Sequence, residues 1–280
     1  MEDFICDRIE SGDKNMQLTD FELDCIRFYM GDPEIVARGD FLGGPKAYNT
    51  INALLHEGIV NELDKIADGK PIEVLNQKHL RQMIILIQTI DDAMKKVKNS
   101  KSPLVTYRVD RIAEIESIKE RNRIEGFYST CKAGFLNEYA KTKQNVVLME
   151  IEREPDVPFL DFEELFQNRY AKKEEAEILL PFDCQVKHIR QLRCSAEEKE
   201  RYRDLNGNVP CGKYALLIGK RKEDSQTEKK SLEELVKEDN AQKINQLLQK
   251  LTKGKSLSEE EKQFYVNWKK ELKNTLENAG

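Results

Sequence analysis

Nowhere in the 280 residues does an apolar run approach the roughly 20 residues that a membrane-spanning helix requires, which excludes a helical membrane protein. Paired cysteines are missing too. Cys6, Cys25, Cys131, Cys184, Cys194 and Cys211 stand apart, with no CxxC and no ligand spacing to His56, His79 or His188. That argues against a zinc site or disulfide framework and for a reducing compartment, so no metal is expected. The chain contains no GxxxxGK[ST], GxGxxG or HExxH. Basic excess is absent as well: 46 Lys and Arg against 51 Asp and Glu leave a net charge of −5. A bulk binder of nucleic acid or anionic membrane would usually be basic. The opening "MEDFICDRIESGDKN" has acid where a secretory leader needs base and lacks an apolar stretch, so a cytoplasmic location is expected.

What is present changes character along the chain. In "LTDFELDCIRFYM", Thr19 and Glu22 have capping-box spacing, and Leu18 and Leu23 form the matching hydrophobic staple. A Gly- and Pro-rich loop leads to "AYNTINALLHEG", which sets Ile51, Leu54 and Leu55 on one helical face, with Gly58 as stop. A longer helix is predicted after Asn76, where Leu80, Met83, Ile84, Ile87, Ile90, Met94 and Val97 keep the helical period. From Pro103 the runs become short and rich in β-branched and aromatic residues: "LVTYRVD", "GFYSTC", "NVVLMEIE", "AEILLPF", "QVKHI" and "GKYALLIG". Helices followed by strands imply an α+β fold, with a helical part over 19–98 and a strand-rich part over 103–220. Residues 221–280 read as a charged linker and an αα-hairpin, with capping boxes at Ser231/Glu234 and Ser258/Glu261. The hairpin either packs on its own domain or serves as a docking arm for a partner protein.

Three polar features sit awkwardly in the strand block. Arg108 lies among Val105, Tyr107 and Val109, and Ser129 and Thr130 follow the aromatic pair Phe127 and Tyr128. Glu175 and Glu177 open the apolar run "ILLPF". If this is the start of a strand, the two glutamates share a face about 6–7 Å apart, where like charges repel. The first two have ordinary readings when taken alone, a snorkelling arginine and a hydroxyl pair in a strand, and each of the three is a weak signal by itself.

An arginine on a first strand, an aromatic-Ser-Thr on a second and a Glu-x-Glu before "ILLP" together resemble the Arg–Ser–Glu branch of the mono-ADP-ribosyltransferases. "FYMGD" followed by "AYNTINALL" is similar to that family's helical segment, so the resemblance spans roughly residues 20 to 220. Val109 and Cys131 depart from it, since the family often has glycine and serine there. The resemblance implies an ADP-ribosyltransferase-like fold, with N-terminal helices packed on two small mixed or antiparallel sheets and residues 1–220 as the catalytic domain. It also implies mobile loops over the nicotinamide and acceptor within "EREPDVPFLDFEELFQNRYAKK".

The implied substrate is NAD, with release of nicotinamide. Arg108, Tyr107, Ser129 and Thr130 would hold NAD, and Glu177, Ser129 and Glu175 would form the catalytic set. The chemistry is consistent with this. A guanidinium grips phosphate oxygens in a bidentate fork. A carboxylate near the ribose stabilises the oxocarbenium-like state formed as nicotinamide leaves. Glu175 would face the acceptor, and a glutamate there goes with arginine on a protein, whose proton a neighbouring carboxylate takes during attack. The implied setting is a bacterial or phage toxin or effector, acting in the cytoplasm or exported without a cleaved signal peptide. RNA or DNA is the alternative acceptor, and an NAD glycohydrolase or a non-catalytic binding module are the further alternatives.

Overall fold

The computed structural model describes residues 18–41, 47–55, 77–97, 104–166, 176–220, 235–252 and 255–277. The first layer is helical. Helix α1 (Asp20–Tyr29) starts at the Thr19 capping box, where the hydroxyl accepts from the Glu22 amide at 3.2 Å and Glu22 accepts from the Thr19 amide at 2.8 Å. Leu18 and Leu23 are half-buried against the same core. In α2 (Pro33–Arg38), Asp32 caps the first turn and also accepts from the Arg27 guanidinium at 2.8 Å, tying α2 back to α1. Helices α3 (Ala47–Leu55) and α4 (Gln77–Lys96) bury the residues that periodicity selects: Ile51, Leu54, Leu55, Leu80, Met83, Ile84, Ile87, Ile90 and Met94 have no exposed surface. The expected cap at Asn76, the stop at Gly58, and Ser231 with Glu234 lie outside the described residues.

The strands are β1 (Val105–Arg111), β2 (Arg123–Ile124), β3 (Tyr128–Cys131), β4 (Val146–Arg153), β5 (Leu160–Asp161), β6 (Glu177–Leu180), β7 (Cys184–Leu192) and β8 (Gly212–Gly219). Helix α5 (Ile112–Arg121) follows β1, and α6 (Asn137–Ala140), α7 (Phe162–Phe166) and α8 (Ala196–Arg201) are short connectors. The part of "EREPDVPFLDFEELFQNRYAKK" up to Phe166 thus holds the end of β4, then β5 and α7. The fold is α+β with a mixed sheet, in which β4 and β8 run parallel and the other pairs are antiparallel.

The expected division into two small sheets is corrected. All eight strands form one sheet in the order β2-β7-β8-β4-β1-β3-β6-β5. The two halves join at a narrow seam, the single register pair Tyr107↔Cys131 between β1 and β3, whereas β1 and β4 pair over seven positions.

Strand β6 is buried on both faces, which explains its unbroken apolar run. Leu179 joins the helical core with Phe127, Phe162 and Phe182, and Ile178 and Leu180 join a second core with Tyr128, Met149 and Phe159. The C-terminal helices α9 (Glu238–Thr252) and α10 (Glu259–Glu277) contribute Ile244, Leu247, Leu248, Tyr265, Trp268 and Leu272 to the helical core shared with α1, α3 and α4. The Trp268 indole donates to the Leu235 carbonyl at 3.1 Å, and Ser258 and Glu261 form the expected capping box. Of the two readings of the hairpin, its apolar stripe packs on the chain's own helices. Among the described residues no helix is long and apolar enough to cross a membrane.

Candidate functional site

The seam between β1 and β3 is where the awkward polar residues meet. Ser129 serves two partners at once. Its carbonyl accepts from the Arg108 guanidinium at 2.5 Å, and its hydroxyl donates to Glu177 Oε1 at 2.5 Å. The second distance is in the short range of hydrogen bonds to a carboxylate. In the β3–β6 ladder Ser129 stands opposite Leu179 and Cys131 opposite Glu177, so the Ser129–Glu177 bond is a diagonal one on a shared face.

Arg108 is held from three sides. Asp110 Oδ2 accepts from Nε at 2.8 Å and lies 2.6 Å from one terminal nitrogen, Ser129 takes the other terminal nitrogen, and the Tyr128 ring lies 4.1 Å below the guanidinium carbon. Arg108 keeps a quarter of its side chain exposed, whereas Asp110 is almost wholly buried at 4%. Burial works against the charge on Arg108, but Asp110 more than offsets it and holds the guanidinium above its ordinary value. A guanidinium has five N–H groups and these contacts occupy at most three, so one on each terminal nitrogen remains for a ligand. Arginine N–H groups of this kind are common donors to phosphate oxygens.

The backbone before Glu177 differs from the continuous strand that the spacing assumed. Ala176 has φ of 39°, a left-handed conformation costing an alanine about 1 kcal/mol, and β6 begins only at Glu177. The Ala176 carbonyl accepts from the Lys132 amide at 3.0 Å, which anchors this turn to the end of β3. Alternation therefore does not extend back through Ala176. Glu175 lies outside the described residues.

Tyr107 and Thr130 have other contacts. Tyr107 packs edge-on against Phe135, with ring centroids 5.1 Å apart, while Thr130 is buried and its hydroxyl donates to the Ile178 carbonyl at 3.1 Å. The structure gives Thr130 a strand-to-strand contact and Tyr107 an aromatic one.

No protein-family model matches this chain, and no curated protein matches its sequence. Solved structures do resemble it at low identity. BECa, an ADP-ribosylating toxin of a binary enterotoxin of C. perfringens crystallised with NADH, is 17% identical; the match covers 73% of this chain and 44% of that one, with a TM-score of 0.41. The ATR domain of Salmonella SpvB is 18% identical over 72% of this chain and 98% of that one, at 0.39. The catalytic domain of VahC from Aeromonas hydrophila is 14% identical over 72% and 98%, at 0.39. The chain spans less than half the length of BECa. What the site does follows from its own residues.

Several of those residues escape a reading of the strand block. Asp110, which organises Arg108, is two positions along the same strand, and that spacing was the available signal. Tyr29 comes from the helical layer. Burial pushes its phenol up, offset in part by a hydrogen bond from Asn52 at 3.3 Å, and it feels the charges of both Glu177 and Arg108. Asn52 Oδ1 is buried with no donor among the described residues. Tyr29 and Asn52 fall within "FYMGD" and "AYNTINALL", yet the amphipathic pattern alone counts them as ordinary helix positions.

Proposed function

We propose that this chain is an NAD-dependent mono-ADP-ribosyltransferase that moves ADP-ribose onto an arginine of a protein and releases nicotinamide. The observation that carries the reading is the convergence of Arg108 and Glu177 on Ser129. Arg108 presents its two remaining N–H groups to the pyrophosphate of NAD. Its charge is secured by Asp110, so little ordering cost is left for binding.

Glu177 stands at the ribose. As the bond between ribose C1′ and nicotinamide breaks, the electron pair leaves with nicotinamide and neutralises its ring, and positive charge grows on the ribose. The Glu177 carboxylate, oriented by Ser129, stabilises that charge. The acceptor nitrogen then bonds to C1′ and gives up a proton. Glu175 is the proposed recipient, since an arginine guanidinium is otherwise protonated throughout the physiological range. A toxin or effector setting accompanies this reading and rests on the resemblance of the motifs.

The test is transfer of label from tagged NAD into a cell lysate by the wild type and by Glu177→Gln, followed by protease or nuclease digestion. Protease-sensitive label that the variant fails to produce is expected, and Glu175→Gln then tests arginine choice. Nuclease-sensitive label replaces the acceptor with RNA or DNA. Free nicotinamide without label marks a glycohydrolase. If NAD neither binds nor turns over, the reading is wrong.

A further inference from the structure

Asp110 has a second cationic neighbour that the chemistry above leaves unused. Lys143, in the turn between α6 and β4, donates to Asp110 Oδ1 at 3.2 Å and to the Val109 carbonyl at 3.1 Å. The same carboxylate oxygen accepts from the Arg111 amide at 2.8 Å, while Oδ2 faces Arg108. The two oxygens are thus divided: one is fastened to Lys143 and the strand backbone, and the other is turned to the guanidinium.

Lys143 is itself well supported. Its carbonyl accepts from the Leu205 amide at 2.8 Å, and two residues on, the Asn145 amide donates to Asp204 at 3.0 Å. Asp204 also accepts from the amides of Asn206 and Asn208 at 2.8 and 2.9 Å, so the 204–208 turn is closed around one buried carboxylate. Asn145 has φ of 52°, a left-handed conformation that asparagine tolerates well.

We propose that Lys143 is a positioning residue for Arg108: by fixing Asp110 from behind, it sets the guanidinium so that its two unused N–H groups point to the pyrophosphate-binding side. The consequence for NAD rests on the transferase reading; the anchoring of Arg108 does not. Two physical points support the role. A carboxylate with one oxygen immobilised cannot rotate away from its other partner, so the Arg108–Asp110 geometry is kept without cost when ligand arrives. In addition, two cations sharing one carboxylate leave the cluster with net positive charge, which favours a phosphate in a partly desolvated site. Burial and the nearby Arg108 and Arg111 press the Lys143 ammonium below its ordinary value, while Asp110 opposes them. It holds its place through that carboxylate.

The test uses the full chain labelled with nitrogen-15 arginine, in which the Arg108 Nε–H signal is identified by its loss in Arg108→Lys. Lys143→Met keeps the apolar stem and removes the donor. It should speed solvent exchange of that Nε–H about tenfold and weaken NAD by a similar factor, read as a raised KM with a much smaller change in kcat. Lys143→Arg should recover most of both. If Lys143→Met fails to fold, Lys143→Leu, which likewise removes the donor, serves in its place with the same expectation. Unaltered exchange in a folded variant overturns the proposal whatever the NAD affinity does, and faster exchange with unaltered NAD affinity overturns it as well. Faster exchange in a protein whose wild type takes up no NAD upholds the anchoring and removes the transferase reading.

Discussion

Glu177 accepts the Ser129 hydroxyl at 2.5 Å, and the two are diagonal rather than directly opposed across the β3–β6 ladder. The carboxylate therefore leans toward the β1–β3 seam, where the Ser129 carbonyl also receives Arg108. One short residue links the groups proposed for the pyrophosphate and for the nicotinamide ribose of NAD.

Ser129→Ala removes the hydroxyl and leaves the carbonyl contact in place. Hydrogen bonds to charged groups contribute about 1.5–3 kcal/mol, so nicotinamide release should fall roughly 10- to 100-fold in kcat. Affinity for NAD should change far less. Steady-state release of nicotinamide decides it, and a rate within twofold of wild type would remove Ser129 from the mechanism.

Asp110→Asn takes the counter-charge from between two partly buried cations. Breaking such a pair while leaving its partners in place costs about 3 kcal/mol, reduced here by the remaining exposure of Arg108 and Lys143. As a contrast, Asp156→Asn disrupts the exposed pair with Lys220, 59% and 58% exposed, and should cost less than about 1 kcal/mol. Urea denaturation of both variants tests the difference; equal losses would show that the Asp110 cluster contributes no more than a surface pair.

Glu22 closes the α1 capping box and accepts from Lys96 of α4 at 2.6 Å, joining two helices of the core. Burial raises its carboxyl, but Lys96 and Thr19 outweigh this and leave it below the ordinary value of 4.5. A depressed folded value means that the stabilisation is fully present above 4.5 and is lost as pH falls through the lower folded value. Glu22→Gln should therefore destabilise clearly near neutral pH and much less once the pH has fallen below the depressed folded value, where the wild-type carboxylate is itself protonated. A loss that does not shrink on acidification would assign Glu22 a packing role instead.

Trp268 is the only tryptophan in the sequence and is 2% exposed, its indole bonded to the carbonyl of Leu235 just before α9. Because those helices share one apolar core with α1, α3 and α4, fluorescence and helical circular dichroism should follow the same denaturation curve. An earlier fluorescence transition would mean that the hairpin undocks as a separate unit.

Local physics made much of this molecule legible from its residues. Capping boxes at Thr19 and Ser258 need only side chains three positions away, and the buried faces of α3 and α4 follow from the helical period. The strands appeared as short β-branched runs, and Arg108, Ser129 and Glu177 stood out because polar groups in such runs need a reason. Pairing across the sheet is another matter. Whether eight strands form one sheet or two depends on contacts between residues distant in the chain, here the lone Tyr107↔Cys131 pair. The left-handed turn at Ala176 carries no glycine to announce it, and it broke the alternation assumed for the glutamates. Tyr29 and Lys143 likewise became partners of the site only through packing, since contacts from a helix or a turn to a strand leave no period in sequence. Residue chemistry and local pattern determined the elements and the reactive groups; the three-dimensional packing alone decided which groups meet, because it sets the distances over which charge and hydrogen bonding act.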